Sequence, residues 1–173
     1  ATAAVLLFDI LWGVLFAVAL SLFEVLTRVA RPHAAVLGEA PGIAGWHDIS
    51  DYEHTVQIPG LLVFRYDSPL FFANAMDFLS KCEAAVDQAD PAPNWLLLNM
   101  EANTEVDITG LDALEQLRSH CARAGVTLAL VRVKHEIELD LVRHGVGKKI
   151  GLDRIYPTLP TAVAAYRAET GMN

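Results

Sequence analysis

Cysteine is nearly absent from this 173-residue sequence, which holds only Cys82 and Cys121. Two distant cysteines build neither a disulfide framework nor a thiolate zinc site, and they fit a reducing compartment. Positive charge is scarce as well: 13 Lys and Arg face 21 Asp and Glu, a net charge of −8. No basic patch interleaved with aromatics occurs, so nucleic-acid binding by phosphate neutralisation is not expected. Catalytic signatures are also lacking. The histidines, His33, His47, His54, His120, His135 and His144, never take a metal-ligand spacing. His135-Glu136 has no second histidine at the zincin offset. No serine stands in a G-x-S-x-G elbow. There is no internal repeat and no low-complexity tract. The chain is therefore expected to have no enzymatic activity, metal site or resident cofactor.

What is abundant is apolar surface. Apolar residues make up 53% of the chain, high for a soluble domain, and the excess lies in the first thirty positions. Val5 to Leu26 contains 22 residues, of which only Asp9 and Glu24 are charged. As a helix it would span roughly 33 Å, close to the thickness of a bilayer core. Apolar residues surround this helix and leave it no polar face. Asp9 is placed near the membrane interface. A basic n-region and a small-residue cleavage site are missing, so the segment is a poor signal peptide. Arg28, Arg31 and His33 follow at once, which places this end in the cytoplasm. The competing reading is a long core helix of a soluble domain, because the uncharged centre, Ile10 to Phe23, covers only 14 residues. The chain opens without Met and is expected to be a fragment or a processed product.

Three parts follow from composition. Residues 1–30 read as a transmembrane helix. Residues 31–51 carry Pro32, Pro41, Gly38, Gly42 and Gly45 and read as a connector, since that composition breaks regular structure. Residues 52–173 read as one folded domain with 11 basic and 16 acidic side chains, a net of −5. An acidic domain of this kind is not drawn to anionic lipid heads.

Within that domain, Thr55 to Ile58 is an edge-strand candidate closed by Pro59-Gly60, and Leu61 to Tyr66 is a second strand. A helix begins near Asn74 with Met76, Leu79, Cys82 and Val86 as its buried stripe, Phe78 adjacent. Trp95 to Leu98 is a short apolar run, as expected of a strand covered on both faces. Val126 to Val133 is a fourth strand. Glu136 to His144 is a third helix with Ile137, Leu141 and Val142 on one face, ended by Gly145. Ile155-Tyr156 is a short extended segment, and Pro160 fits the first turn of a last helix through Ala162, Val163 and Tyr166. Strands alternating with helices of this length specify an α/β fold, a mostly parallel sheet with right-handed crossovers.

The stretch that organises this pattern is Asn94 to Gly125, a buried strand, a polar loop and a helix. Asp107-Ile108-Thr109-Gly110 stands at the junction. Thr109 with Asp112 three residues on reads as the helix cap. Leu111, Leu114, Leu117 and Cys121 recur at helical spacing, and Gly125 is a natural stop. A loop entering a helix gathers free backbone N–H groups and the positive end of the helix dipole, where a phosphate is favoured.

The block from Ile58 to Ala75, IPGLLVFRYDSPLFFANA, resembles the opening of the STAS domain in sulfate permease family (SulP) anion transporters. Arg31-Pro32-His33 with Val36-Leu37-Gly38 resembles that family's connector after its last membrane helix. Asp107-Ile108-Thr109-Gly110 resembles the signature loop of STAS domains and their anti-sigma-factor-antagonist relatives. The resemblance implies a four- to five-stranded sheet flanked by helices. It further implies a cytoplasmic regulatory and assembly module of a sulfate or related anion transporter in the cell's inner membrane. Its implied partners are the membrane domain of the same transporter, a second copy in a homodimer, and a regulatory protein or kinase. The alternative is a stand-alone antagonist-like signalling protein, for which Val5–Leu26 has no evident use.

The same loop carries the site expectations. In the antagonist relatives a Ser immediately before the loop Gly is phosphorylated, and Thr109 holds that position. A phosphate there would add about −1.5 to −2 charges beside a helix N-terminus, against repulsion from Asp107, Asp112, Glu101 and Glu105. The plainer reading is that Thr109 is only a cap. Weak GTP or ATP binding would use Asp107, Thr109 and Gly110. Gly145 to Gly151 lacks the spacing of a P-loop and reads as a helix C-terminus. Glu136, Glu138 and Asp140 read as a solvated, dipole-favoured face, Cys82 and Cys121 as core. Phe71 and Phe72 read as core anchors, with contact to the transporter's membrane part as the other role.

Overall fold

The computed structural model describes residues 2–172, and of residues 2–9 and 28 only the backbone. The expectation for Asp9 therefore lies outside the described residues. The chain divides into two units, residues 1–32 and residues 33–173.

The first unit is one helix, α1 (Thr2–Ala30), of 29 residues. Ile10 to Thr27 is long and apolar enough to cross a membrane, by length and composition. Its described apolar side chains are exposed on every side: Trp12 is 62%, Phe16 66% and Phe23 66% accessible. A core helix of a soluble domain would bury such residues, since each fully buried side chain contributes about 1.5–3 kcal/mol.

The second unit is built around β4 (Trp95–Asn99), in which all five residues are buried. It lies between β3 (Leu61–Tyr66) and β5 (Thr127–Val131), parallel to both, with Leu97 beside Val63 and Ala129. β6 (Ile155–Tyr156) extends the parallel part beyond β5. On the other side β1 (Ala34–Glu39) pairs antiparallel with β3, and β2 (Trp46–Asp48) antiparallel with β1. The sheet has six strands, in the order β2-β1-β3-β4-β5-β6, and is mostly parallel.

Side chains alternate across a strand, so this sheet has two cores. Leu62, Phe64, Leu96, Leu98, Leu128 and Leu130 face α2 (Ala75–Asp87) and α3 (Ile108–Arg123). Leu61, Val63, Trp95, Leu97, Ala129 and Val131 face α6 (Leu159–Thr170). Between β5 and β6 run α4 (His135–Arg143), the one-turn α5 (Val146–Ile150) and a 3-10 turn, Leu152–Arg154. Thr158 and Thr161 form a reciprocal cap at the start of α6, with Pro160 in its first turn. Trp95 holds this helix through its indole N–H, donated to Glu169 Oε1 at 3.3 Å, and Arg154 stacks on the indole at 4.6 Å.

Several expectations are corrected here. The connector over 31–51 is structured from His33 onward, because Ala35 and Leu37 are buried and their backbone pairs with β3. Its glycines mark the turn of a hairpin: Gly42 and Gly45, at φ +80° and +106°, lie between β1 and β2. Four to five strands become six for the same reason. Thr55 to Ile58 is not a strand; Val56 makes one isolated bridge to Glu39. Met76 is 66% exposed, and Ala75, Phe78, Leu79, Cys82 and Val86 form the buried stripe of α2. Val142 is 38% exposed, leaving Ile137 and Leu141 as the buried pair of α4. Phe72 is not a core anchor, being 76% exposed.

Candidate functional site

The site begins with a crossing of two turns. After β3 the chain passes Pro69-Leu70-Phe71-Phe72, and after β4 it passes Thr104-Glu105-Val106-Asp107. The two are joined by backbone: Leu70 N donates to Glu105 O and Asp107 N donates to Leu70 O, each at 2.9 Å. This bridge holds Asp107 extended, at φ −83° and ψ 179°, so the helix begins one residue later at Ile108.

Asp107, not Thr109, is therefore the cap of α3, which corrects the sequence-based assignment. Its Oδ1 accepts from Gly110 N at 2.8 Å, and its Oδ2 accepts from Phe72 N at 2.9 Å. One carboxylate thus caps a helix and ties the turn after β3 to it. Thr109 lies in the first turn of α3 and is half-buried, while Ile108 is 57% exposed. Gly110 is required by space. A Cβ there would stand 2.9 Å from Leu70 O and 3.0 Å from both Leu70 Cβ and Val106 Cγ1. The helix start can approach the bridge this closely only without a side chain.

Two asparagines that sequence reasoning missed hold the same turns. Asn74 accepts from Phe71 N at 3.0 Å and donates to Pro69 O at 2.8 Å and Ser68 Oγ at 3.1 Å. Asn103, fully buried, donates to Ser68 O at 2.6 Å and to Tyr66 O at 3.2 Å. Its Oδ1 has no partner among the described residues. A single Asn in each loop beside a strand end was the available signal, because side chains of this kind often bond nearby backbone.

The crossing forms one wall of a cleft of about 610 Å³ whose other wall is α4. Leu70, Phe71, Phe72, Val106 and Ile137 give it an apolar floor, and Glu105, Asp107, Glu136 and Asp140 line it with carboxylates. No Lys, Arg or His is among its lining residues. Of the expected loop residues, Asp107 is thus brought together with Glu136 and Asp140, which the sequence suggested as a separate solvated face, whereas Ile108, Thr109 and Gly110 are not among the lining residues. Glu101 is engaged elsewhere, by an ion pair with Arg132 at the end of β5.

The other candidates fall away from this site. Val146 to Ile150 form a short helix, and Lys149 Nζ pairs with Glu115 at 3.1 Å, so the Gly- and Lys-rich stretch is not an open phosphate loop. Cys82 and Cys121 are buried in the core between α2 and α3. Burial pushes both thiols up, that of Cys121 to about 11.

The model of the STAS domain family matches residues 52–162. Over 166 residues the chain is 52% identical to a probable sulfate transporter of Mycobacterium tuberculosis, covering 96% of this chain and 30% of that protein. The murine anion transporter Solute Carrier 26 family member A9, in its inward-facing state, matches at a TM-score of 0.77 and 26% identity. That match covers 91% of this chain and 26% of the murine one. The STAS domain of a SulP transporter from Vibrio cholerae shares the fold, with a TM-score of 0.58 and 23% identity over 72% of this chain and 94% of that one. The chain thus spans between 24% and 30% of the length of curated relatives it matches.

Proposed function

The chain belongs to the STAS domain family, and we propose that it is the cytoplasmic control and assembly module of a sulfate-class anion transporter, carrying that transporter's last membrane helix. The observation that supports this most is α1. Its described apolar side chains are exposed all round, which suits lipid and the packing of neighbouring membrane helices and would be costly in water. A free-standing signalling protein has no use for such a segment. Relatives named as transporters extend well beyond the part that this chain matches. Arg28 and Arg31, just after the apolar span, support a cytoplasmic side for residues 31–173, and the proposed membrane is the inner one.

In this reading the domain works through binding, on the membrane portion of the same protein and within a homodimer. Thr109 is its phosphorylation point for a kinase. The helix dipole favours a phosphate there, while the capping carboxylate of Asp107 opposes it. A nucleotide at Asp107, Thr109 and Gly110 is the weaker role, since the Gly110 N–H is already given to Asp107 and four carboxylates line the adjoining cleft.

The test uses cells that lack their own sulfate uptake. Expression of the complete protein should restore accumulation of labelled sulfate, and an impermeant thiol reagent should reach a cysteine placed at Ser50 only from the cytoplasmic face. No accumulation of sulfate or any related anion, or labelling from outside, rejects the reading.

A further inference from the structure

We propose that the acidic cleft between the Leu70–Phe72 turn and α4 is the seat for a basic, apolar-bearing loop on the cytoplasmic side of the transporter's own membrane portion. This inference rests on the transporter reading above and names the surface through which the two portions meet.

Phe72 is the first argument. It is 76% exposed, yet it does not stand on a loose tip. Its N–H is bound by Asp107, the preceding N–H by Asn74, and its ring meets Phe71 edge-on at 5.7 Å. An aromatic held out from a pinned turn, over a floor of Leu70, Val106 and Ile137, is a pre-organised anchor for a partner's apolar side chain.

Charge selects the partner. Asp107 is satisfied by backbone N–H groups, and Asp140 pairs with Arg143 at 2.9 Å. The carboxylates of Glu105 and Glu136 have no ion-pair partner among the described residues. A phosphate, an acidic peptide or an anionic lipid head would meet like charge here, whereas Lys or Arg would meet its complement. Cytoplasmic loops of membrane proteins carry an excess of Lys and Arg. A loop tethered to the same polypeptide also presents itself at an effective concentration of the order of millimolar, so a weak contact suffices. The 52%-identical relative extends far beyond the matched 30% of its length, which leaves ample chain to supply such a loop.

Zero-length cross-linking tests this in membranes holding the complete protein. A carbodiimide joins a carboxylate only to a lysine it touches, and mass spectrometry locates the pair. The expected product links Glu105 or Glu136 to a lysine upstream of α1. Its yield should fall at least fivefold in Phe72→Ala, which keeps both carboxylates and removes an exposed ring. Met76→Ala, which removes another exposed apolar side chain, on α2, should leave the yield unchanged. Absence of the product, links only to residues 33–173 or to a separate protein, or a yield indifferent to Phe72→Ala each overturn the proposal. Labelled-anion uptake by the same membranes separates the two readings. Intact uptake without the cross-link rejects the seat alone, and absence of uptake rejects the transporter reading.

Discussion

Replacing Asp107 by Ala should show how the site is held. The carboxylate makes two bonds, one capping α3 at Gly110 N and one to Phe72 N, 35 residues away in sequence. Losing a helix cap costs about 1 kcal/mol. The second bond adds about 0.5–1 kcal/mol, toward the low end for a charged acceptor because Phe72 is exposed and its N–H regains water. The total is about 1.5–2 kcal/mol, which for a unit of this size lowers the melting temperature by about 5–9 °C. Asp107→Asn, which keeps one acceptor oxygen, should lose less than half of that. Thr109→Ala should cost about 0.5 kcal/mol or less, since Thr109 is not the cap. Urea unfolding of residues 33–173 measures all three; this unit holds both cores, and a Vibrio cholerae chain of the same fold contains little else. A Thr109→Ala loss above 1 kcal/mol with Asp107→Ala near zero would refute the assignment of the cap.

Gly110→Ala forces a Cβ to 2.9 Å from Leu70 O, so it should cost about 1–3 kcal/mol in the same assay, although Ala is the better helix former. Burial raises the carboxyl of Asp48, but the bonds from Ser50 N, Ser50 Oγ and His33 outweigh it and hold the group below its ordinary value. The stabilisation is then complete above the unfolded value near 3.8 and is lost as pH falls through the lower folded one. Unfolding midpoints measured from pH 6 to pH 3 should therefore fall less steeply in Asp48→Asn than in the parent. Cys82 and Cys121 should react with a disulfide reagent at neutral pH only as fast as the unit opens, and at once in urea, because both are buried with raised thiol values.

The central strands were legible because β3, β4 and β5 are apolar runs buried on both faces, and no local alternative competes with that pattern. The last helix was legible from Pro160 for a similarly local reason. β1 and β2 were hidden. They are six and three residues long, and what makes them strands is pairing across the intervening turns, β1 with β3 and β2 with β1. In α2 the apolar spacing admits a stripe through Met76 or one through Ala75 and Phe78, and only the position of the sheet selects the second. The cap was misplaced by two residues because Asp107 and Thr109 are both good caps. The bridge between Leu70 and Val106 decides between them, and it comes from a segment far away in sequence. The same non-local crossing brings Phe72, Glu105 and Glu136 to one cleft, which no single stretch of sequence displays. The acid Glu105 was legible beside the loop Asp107 to Gly110 because it is near in sequence, whereas Phe72 and Glu136 were not.

The central claim, that the folded unit serves a transporter, is tested most directly by the initial rate of labelled sulfate uptake per molecule at the membrane. It should be compared for the complete protein and for a version lacking residues 33–173. Removal should lower the rate several-fold, or prevent assembly and delivery to the membrane. Equal rates, with equal abundance and delivery, would contradict the account.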